Sequence, residues 1–499
     1  MARTRQRALV CQLGPIHALI ASLGVYSAGG EWATHAEDSS AIDLDRASET
    51  VGQTSSRIQQ QQQQQQVGQT SSRIHFGSCS LAQGPQPLWE HILARRPDVW
   101  IWGGDNVYAD RLTVQWSPYP RAYFAAADIP HLRDLYAQQL AVPGYAKLLN
   151  SSISIVGTWD DHDYGINDGD KSFPLRQESQ EAFLDFLGEP AGSPRRQQAG
   201  VYAARHFEFG SPAQSVLVVL LDLRYHRDPY SDQDGDFLGE EQWHWLDQTL
   251  AQSNATVHVF MSSLQLLEPR QKVNENWGRL PKARTRFLEL LRDRKVAAPV
   301  VLSGDVHFAE ISAAKCASGS ILEVTSSGMT HSWGTRQPSG RTPPWVNAIV
   351  AGMFHVAQSV MPWRYQLQDA ATGAQQYNLG LNFGELEFDW EAQALTVSLV
   401  GEGGQVLLKQ RFALRDLGIQ SLPCGPLRGE PEAWRVALGF GILAAVPLAA
   451  LALVAAVLLC VFRSVRRLVL PTGDEKLKAP FAVSSNSECE KTPVPSQAE

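Results

Sequence analysis

Val99-Trp100-Ile101-Trp102-Gly103-Gly104-Asp105-Asn106-Val107-Tyr108-Ala109-Asp110 reads as a buried strand that breaks off into polar side chains. An unbroken bulky apolar run suits a strand covered on both faces. Gly103 and Gly104 let the backbone turn sharply before Asp105. An aspartate at that corner can bridge two metal ions, and Tyr108 can turn back on one of them as a phenolate.

Other segments repeat the pattern, each ending an apolar run in chemistry-bearing side chains: Gly77-Ser78-Cys79, Trp159-Asp160-Asp161-His162-Asp163, Asp222-Leu223-Arg224-Tyr225 and Ser303-Gly304-Asp305-Val306-His307. Such groups make poor core residues, because burying an unpaired charge costs several kcal/mol. Gathered round cations they no longer carry that cost. A solvated acidic loop is the plain alternative for Asp160 to Asp163; the functional reading puts Asp161 on a metal and makes His162 a general acid or charge stabiliser. Asp305 and His307 are two residues apart, so in an extended stretch they face one side. Cys79 alone would read as a small buried hydrophobe, but its place at a strand end makes it a ligand. Thiolate with phenolate favours ferric iron, whereas the carboxylate-rich neighbour suits calcium, magnesium or manganese, with zinc also open. Arg224 is a candidate to bind an anionic oxygen, although an arginine after a strand more often forms a salt bridge, and Glu275 and Trp277 are candidates to cap the pocket.

Strand-like runs at Arg73 to Gly77, Val99 to Gly103, Ser154 to Trp159, Ser215 to Leu221, Thr256 to Met261 and Val300 to Ser303 alternate with helical patterns. The helical patterns are Gln86 to Arg95, Ser179 to Leu187, Gly239 to Gln252 and Ala283 to Asp293. This alternation argues a layered α/β domain over residues 73–417. Ile321 to Thr325, Phe383 to Trp390 and Ala394 to Val400 are expected to complete a second sheet. With 43 Lys and Arg against 51 Asp and Glu, and no basic block in this region, no nucleic-acid partner is expected.

The ends of the chain point to a membrane. Arg3, Arg5 and Arg7 precede an uncharged stretch that closes on Ser27, Ala28 and Gly29, a signal-peptide pattern over residues 1–28. Residues 29–72 read as a disordered spacer, in which Val51 to Ile58 recurs at Val67 to Ile74 around the glutamine run Gln59 to Gln66. After a linker at 418–435, no formal charge occurs from Val436 to Phe462, enough helix to cross a hydrocarbon core of about 30 Å. Arg463, Arg466 and Arg467 follow, so the expected topology is single-pass type I, with a disordered cytosolic tail at 463–499. Asn150-Ser151-Ser152 and Asn254-Ala255-Thr256 match glycosylation triplets. With Cys79 a ligand, Cys316 and Cys424 remain free to pair in an oxidising compartment.

As a set, Phe76-Gly77-Ser78-Cys79, Trp102 to Asp110, Trp159 to Gly165, Leu221 to Tyr225 and Ser303 to His307 resemble the PhoD-like alkaline phosphatases, a branch of the calcineurin-like metallophosphoesterases. The likeness runs from about Ile74 to Trp390. It implies a four-layer sandwich, two packed β-sheets flanked by helices, and a site holding ferric iron beside calcium. In it Cys79, Tyr108 and His307 would hold the iron, Asp105 would bridge, Asp161 and Asp305 would hold the second metal, and His162 would be the catalytic histidine. The implied reaction is in-line attack by a metal-activated hydroxide on a small phosphomonoester. A phosphodiesterase for nucleotides or phospholipid head groups, and a non-catalytic calcium- or phosphate-binding surface protein, are the alternatives. The chain departs from the wider superfamily at Val257 to Leu266, where Ser262, Ser263 and Gln265 stand in place of a histidine ligand.

Overall fold

A computed structural model of the chain describes residues 71–115, 121–211, 213–232, 234–267, 274–335, 344–360, 364–429 and 432–442, with scattered positions up to 463. The expected leader, nearly all of the spacer and the cytosolic tail lie outside the described residues. The chain divides into two units, Met1–Gly439 and Phe440–Glu499. Among the described residues no helix is long and apolar enough to cross a membrane, and much of the expected span from Val436 to Phe462 lies outside them.

All the strands belong to the first unit. In chain order they begin with β1 (Ser71–Gly77), β2 (Val99–Gly103), β3 (Arg111–Gln115), β4 (Arg121–Ala125) and β5 (Ser154–Thr158). Next come β6 (Ala203–Glu208), β7 (Ser215–Leu220), β8 (Val257–Met261), β9 (Pro299–Ser303) and β10 (Ala309–Lys315). The last are β11 (Ser320–Ser326), β12 (Tyr377–Asn378), β13 (Asn382–Asp389), β14 (Ala394–Gly401) and β15 (Val406–Ala413). One sheet has the order β15-β14-β13-β1-β2-β5, the other β12-β10-β11-β9-β8-β7-β6, and β3 and β4 form a separate hairpin.

Side-chain alternation explains why the sheets stack. Val99 and Ile101 of β2, and Val216, Val218 and Leu220 of β7, point into one core between the sheets. Their neighbours Trp100 and Trp102 point to the opposite face, as do Leu217 and Val219. Those outer faces are covered by helices. Trp100 and Trp102 pack with residues of α1 (Leu88–Ala94), α2 (Ile129–Ala141), α3 (Pro143–Leu149) and, beyond the short α4 (Asp161–Tyr164), α5 (Arg176–Phe186). Leu217 and Val219 pack with α6 (Gly239–Gln252) and α7 (Pro281–Asp293). The result is the expected four-layer α/β arrangement. One further helix, α8 (Pro344–Val360), follows.

Three expectations change. The first strand starts at Ser71 and not Arg73, because β13 is long enough to pair Ser71 with Asp389 and Ser72 with Phe388. Ile321 to Thr325 does not share a sheet with Phe383 to Trp390: β11 runs parallel to β9, whereas β13 and β14 extend the sheet of β1. Hydrophobic pattern specifies a strand, not its partner. Trp277 is no pocket cap, since it is fully buried against Phe237 and Phe287 and donates its indole N–H to Ser262 Oγ. Cys316 and Cys424 form a disulfide, tying the end of β10 to the segment after the last sheet strand.

Across β1 and β13, buried His75 lies 2.9 Å from Glu385, which Arg95 also engages at 3.0 Å. Burial lowers the His75 pKa from 6.5 despite Glu385, so the ring stays neutral when folded. The unfolded chain takes up that proton first. The stability this supplies is therefore complete above about pH 6.5 and is lost as pH falls toward the folded value. H75F should show a smaller fall in Tm than the parent between about pH 7.5 and 5.5; equal slopes in a thermal melt would assign the acid lability elsewhere.

Candidate metal centre

The strands β1, β2 and β5 run parallel in one sheet, and β7, β8, β9 and β11 in the other. Residues just beyond their carboxyl ends therefore meet on one rim, where layered α/β sheets place their sites. Cys79 follows β1, Asp105 follows β2, Asp161 follows β5, and Asp305 and His307 follow β9. The corners are tight. Cys79, Asp105, Asp305 and His307 have φ of 62°, 49°, 65° and 58°, a left-handed conformation that side-chain-bearing residues adopt at a cost of roughly 1–3 kcal/mol each. Gly304 is needed for space: a Cβ there would lie 2.3 Å from Ser78 Oγ, where the two sheets touch.

Four overlapping groups of ligand atoms result among the described residues, each lying within 4.8 Å of one another: Cys79, Asp105 and His307; Asp105, Asp161 and His162; Asp160, Asp161 and Asp305; and Asp161, Asp168 and Glu275. Asp105 joins the first group to the second, and Asp161 joins the second to the third. Tyr108 enters the first group through its hydroxyl, 3.3 Å from Asp105 Oδ2 and 3.2 Å from His307 Nε2.

The electrostatics fit cations. Burial, together with neighbouring carboxylates, pushes Asp105 and Asp305 far above the usual carboxylate range, against the pull of His162 on Asp105. Burial and then Asp105 raise the Cys79 thiol and the Tyr108 phenol likewise. Burial would raise Asp161 too, but His162, Arg224 and a 2.8 Å bond from the Asp168 amide bring it down to about 2. Burial thus disfavours the charged form of most of these acids, a cost that a bound cation would offset.

His162 stands apart. Its Nδ1 lies 2.6 Å from Asp110 Oδ1, and Asp110 Oδ2 accepts the Asn167 amide at 2.8 Å. Burial opposes protonation, but Asp110, Asp161 and Asp105 together carry its pKa well above 6.5. Asp110 was legible as the last residue of the first quoted segment but carried no role. His331 was missed as well. It is buried with its ring 4.5 Å from His307 and 5.0 Å from Tyr108, and follows the end of β11 in Ser326-Ser327-Gly328-Met329-Thr330-His331, the same strand-end signal.

Arg224 is fully buried, with its guanidinium 2.5 Å from Asp160 and 2.6 Å from Glu275. That corrects the expectation that it meets an incoming anionic oxygen: it clamps carboxylates behind the rim, and Glu275 is spent on the same ion pair. Asp163 is structural too, accepting the Asn106 side chain at 2.5 Å and the Asp160 amide at 2.7 Å. Asp222 accepts the amides of Val201, Arg224 and Tyr225. At the end of β8, Gln265 bonds Glu310 and Thr325, while His258 lies at the other end of the strand between Ala297 O and Ser253.

Residues 74–397 match the family model of the PhoD-like phosphatases. The chain belongs to that family. A curated relative, alkaline phosphatase D of Bacillus subtilis, is 26% identical over 191 residues, which is 32% of this chain and 32% of that protein, so the match spans about a third of the relative's length. A solved structure titled "Structure of PhoD" superposes with a TM-score of 0.51 at 17% identity, over 76% of this chain and 78% of that one, and shares the fold.

In this member of the PhoD-like family, D110N should move the His162 titration, read by NMR, to lower pH, because a carboxylate that favours imidazolium is gone. An unmoved titration would remove Asp110 from the charge balance of His162. R224M should cost about 3–5 kcal/mol of stability by leaving buried carboxylates unpaired. A raised KM with unchanged Tm would restore the anion-binding role.

Proposed function

We propose that this chain is a metal-dependent phosphoric monoester hydrolase of the alkaline phosphatase type. The observation that carries the reading is the sharing of Asp105 and Asp161 between adjoining ligand groups, with His162 beside both and its Nδ1 2.6 Å from Asp110. Cys79, Tyr108 and His307 would hold ferric iron, Asp105 would bridge, and Asp161 with Asp305 would hold calcium. When bound, such ions supply Lewis acidity and lower the pKa of an attacking water.

The chain's own residues do the rest. Asp110 fixes the His162 ring through Nδ1, which leaves Nε2 as the proton-bearing edge for the leaving oxygen. The phosphomonoester binds where Asp105 and Asp161 face His162, and Arg224 keeps Asp160 and Asp161 from drifting apart under mutual repulsion. Trp277 and Phe237 pack beneath the β8 end and exclude water from behind it.

We further infer that the protein is anchored by Val436 to Phe462 with the catalytic unit outside the cytosol. The arginines after that stretch and the leader pattern support this, as does the Cys316–Cys424 disulfide, which suits an oxidising compartment. Asn150 and Asn254 are exposed, and each precedes the amino end of a strand, β5 or β8, away from the metal rim.

The test is elemental analysis of the purified full chain with hydrolysis of p-nitrophenyl phosphate and bis-p-nitrophenyl phosphate across pH. Bound iron and calcium with monoester turnover at alkaline pH is expected, and D105A should lose both. Diester-dominated turnover would transfer the reading to a phosphodiesterase. Metal without hydrolysis would leave a binding protein, and absence of metal would undo the centre.

A further inference from the structure

The helix α8 carries no Asp, Glu, Lys or Arg from Pro344 to Val360. Its inner side is fixed to the metal centre. The Phe354 ring packs 5.2 Å from Phe308, the neighbour of His307, and His355 Nδ1 lies 2.6 Å from the Tyr377 hydroxyl. Between them Trp333 gives its indole N–H to Val306 O at 2.7 Å. The outer side is bare. Trp345 is 64% exposed and Ile349 43%, with Ala348 and Gly352 exposed on the same face. Of the other exposed positions, His355 and Ser359 are polar, so the apolar exposure lies in the first half of the helix, and an uncharged surface of that kind is ordinarily covered.

A second element with exposed apolar side chains flanks the centre through His162. The β3–β4 hairpin sets the Phe124 ring 5.9 Å from the His162 ring and leaves Val114 44% and Tyr123 42% exposed. Two elements that expose apolar side chains are thus attached to the same site, one through His307 and one through His162. A lipid surface can meet both at once. The chain supplies such a surface nearby: Cys424 is held to the domain by its disulfide, and the uncharged stretch begins at Val436.

We propose that α8 and the β3–β4 hairpin rest on a lipid bilayer and present the site to phosphomonoesters carried by lipids. This rests on the reading of the chain as a membrane-anchored phosphoesterase. Hydrolysis there breaks the bond between phosphorus and the alkyl oxygen, which takes a proton. Water's oxygen joins phosphorus, inorganic phosphate leaves, and the alcohol stays in the bilayer. Because α8 has no basic residues, its own part of the contact does not require anionic lipid, and any salt dependence comes from the hairpin, which carries Arg111.

The test uses the full chain reconstituted in phosphatidylcholine vesicles, with hexadecyl phosphate in the bilayer and p-nitrophenyl phosphate in solution. The double variant W345S/I349S, altered only at exposed positions, should lose about tenfold or more on hexadecyl phosphate and stay within about twofold on p-nitrophenyl phosphate. Brominated phosphatidylcholine should quench a fluorescence component that W345F lacks. Equal rates of parent and variant on hexadecyl phosphate would overturn the proposal, as would no hydrolysis of it by the parent or a variant-induced change of oligomeric state in detergent, which would mark an interface between copies. If p-nitrophenyl phosphate is not hydrolysed at all, the phosphatase reading fails; the quenching arm still decides whether α8 meets lipid.

Discussion

The cost of taking carboxylates out of water governs the rim on which the rest of this structure converges. Asp105, Asp160, Asp161, Asp163 and Asp305 are gathered at the strand ends, all but Asp305 almost wholly out of water. Two unit charges 4 Å apart in such surroundings interact by about 4 kcal/mol. The chain answers unevenly. Arg224 pairs with Asp160 and His162 with Asp110, yet burial still holds Asp160 up at about 8 and Asp163 up at about 7. On the Cys79 side, burial keeps thiol and phenol protonated. The arrangement is thus half-compensated by side chains and half dependent on cations.

Holding those groups in place requires backbone that would not persist alone. The left-handed corners at Cys79, Asp105, Asp305 and His307 are each anchored by a parallel strand whose hydrogen bonds and two-sided burial fix the residue before the turn. The corners also brace one another. The Cys79 amide donates to Gly104 O, Ser80 N to Asp105 O, and Thr158 Oγ1 to Leu221 O, the last joining the two sheets. Strain at one ligand is therefore carried by both sheets rather than by its own loop.

This explains what the sequence made legible. An apolar run that stops abruptly at Asp, His or Cys is a local signal, so the strand ends and the gathering of Cys79, Asp105, Asp161 and Asp305 could be read in advance. What depends on a distant partner could not. Arg224 looked available because nothing near it in the chain reveals Asp160 or Glu275, and Trp277 looked like a lid because Phe237 and Phe287 are remote in sequence. β13 and β14 were recognisable as strands, but their attachment to β1 is decided by register across the whole chain. The β3–β4 hairpin and α8 were unread for another reason: Arg111–Gln115 is short and mixed in polarity, and α8 lacks the charged face that marks a surface helix.

The end of β8 shows how the two halves of the centre came to differ. Ser263 has φ of 54°, the same left-handed corner as the ligand positions, and its carbonyl accepts the Gly304 amide, so the backbone of a ligand-bearing turn is intact. The side chain there is a hydroxyl, and His258 is held at the far end of the strand. The half of the centre around Asp160, Asp161 and Asp305 is consequently built from oxygen alone, whereas the other half offers sulfur, imidazole and phenol. Oxygen-only sets favour hard divalent ions of flexible coordination, and mixed sets favour redox-active transition metals. The asymmetry of the metals we propose thus rests on this difference in donor atoms between the two halves.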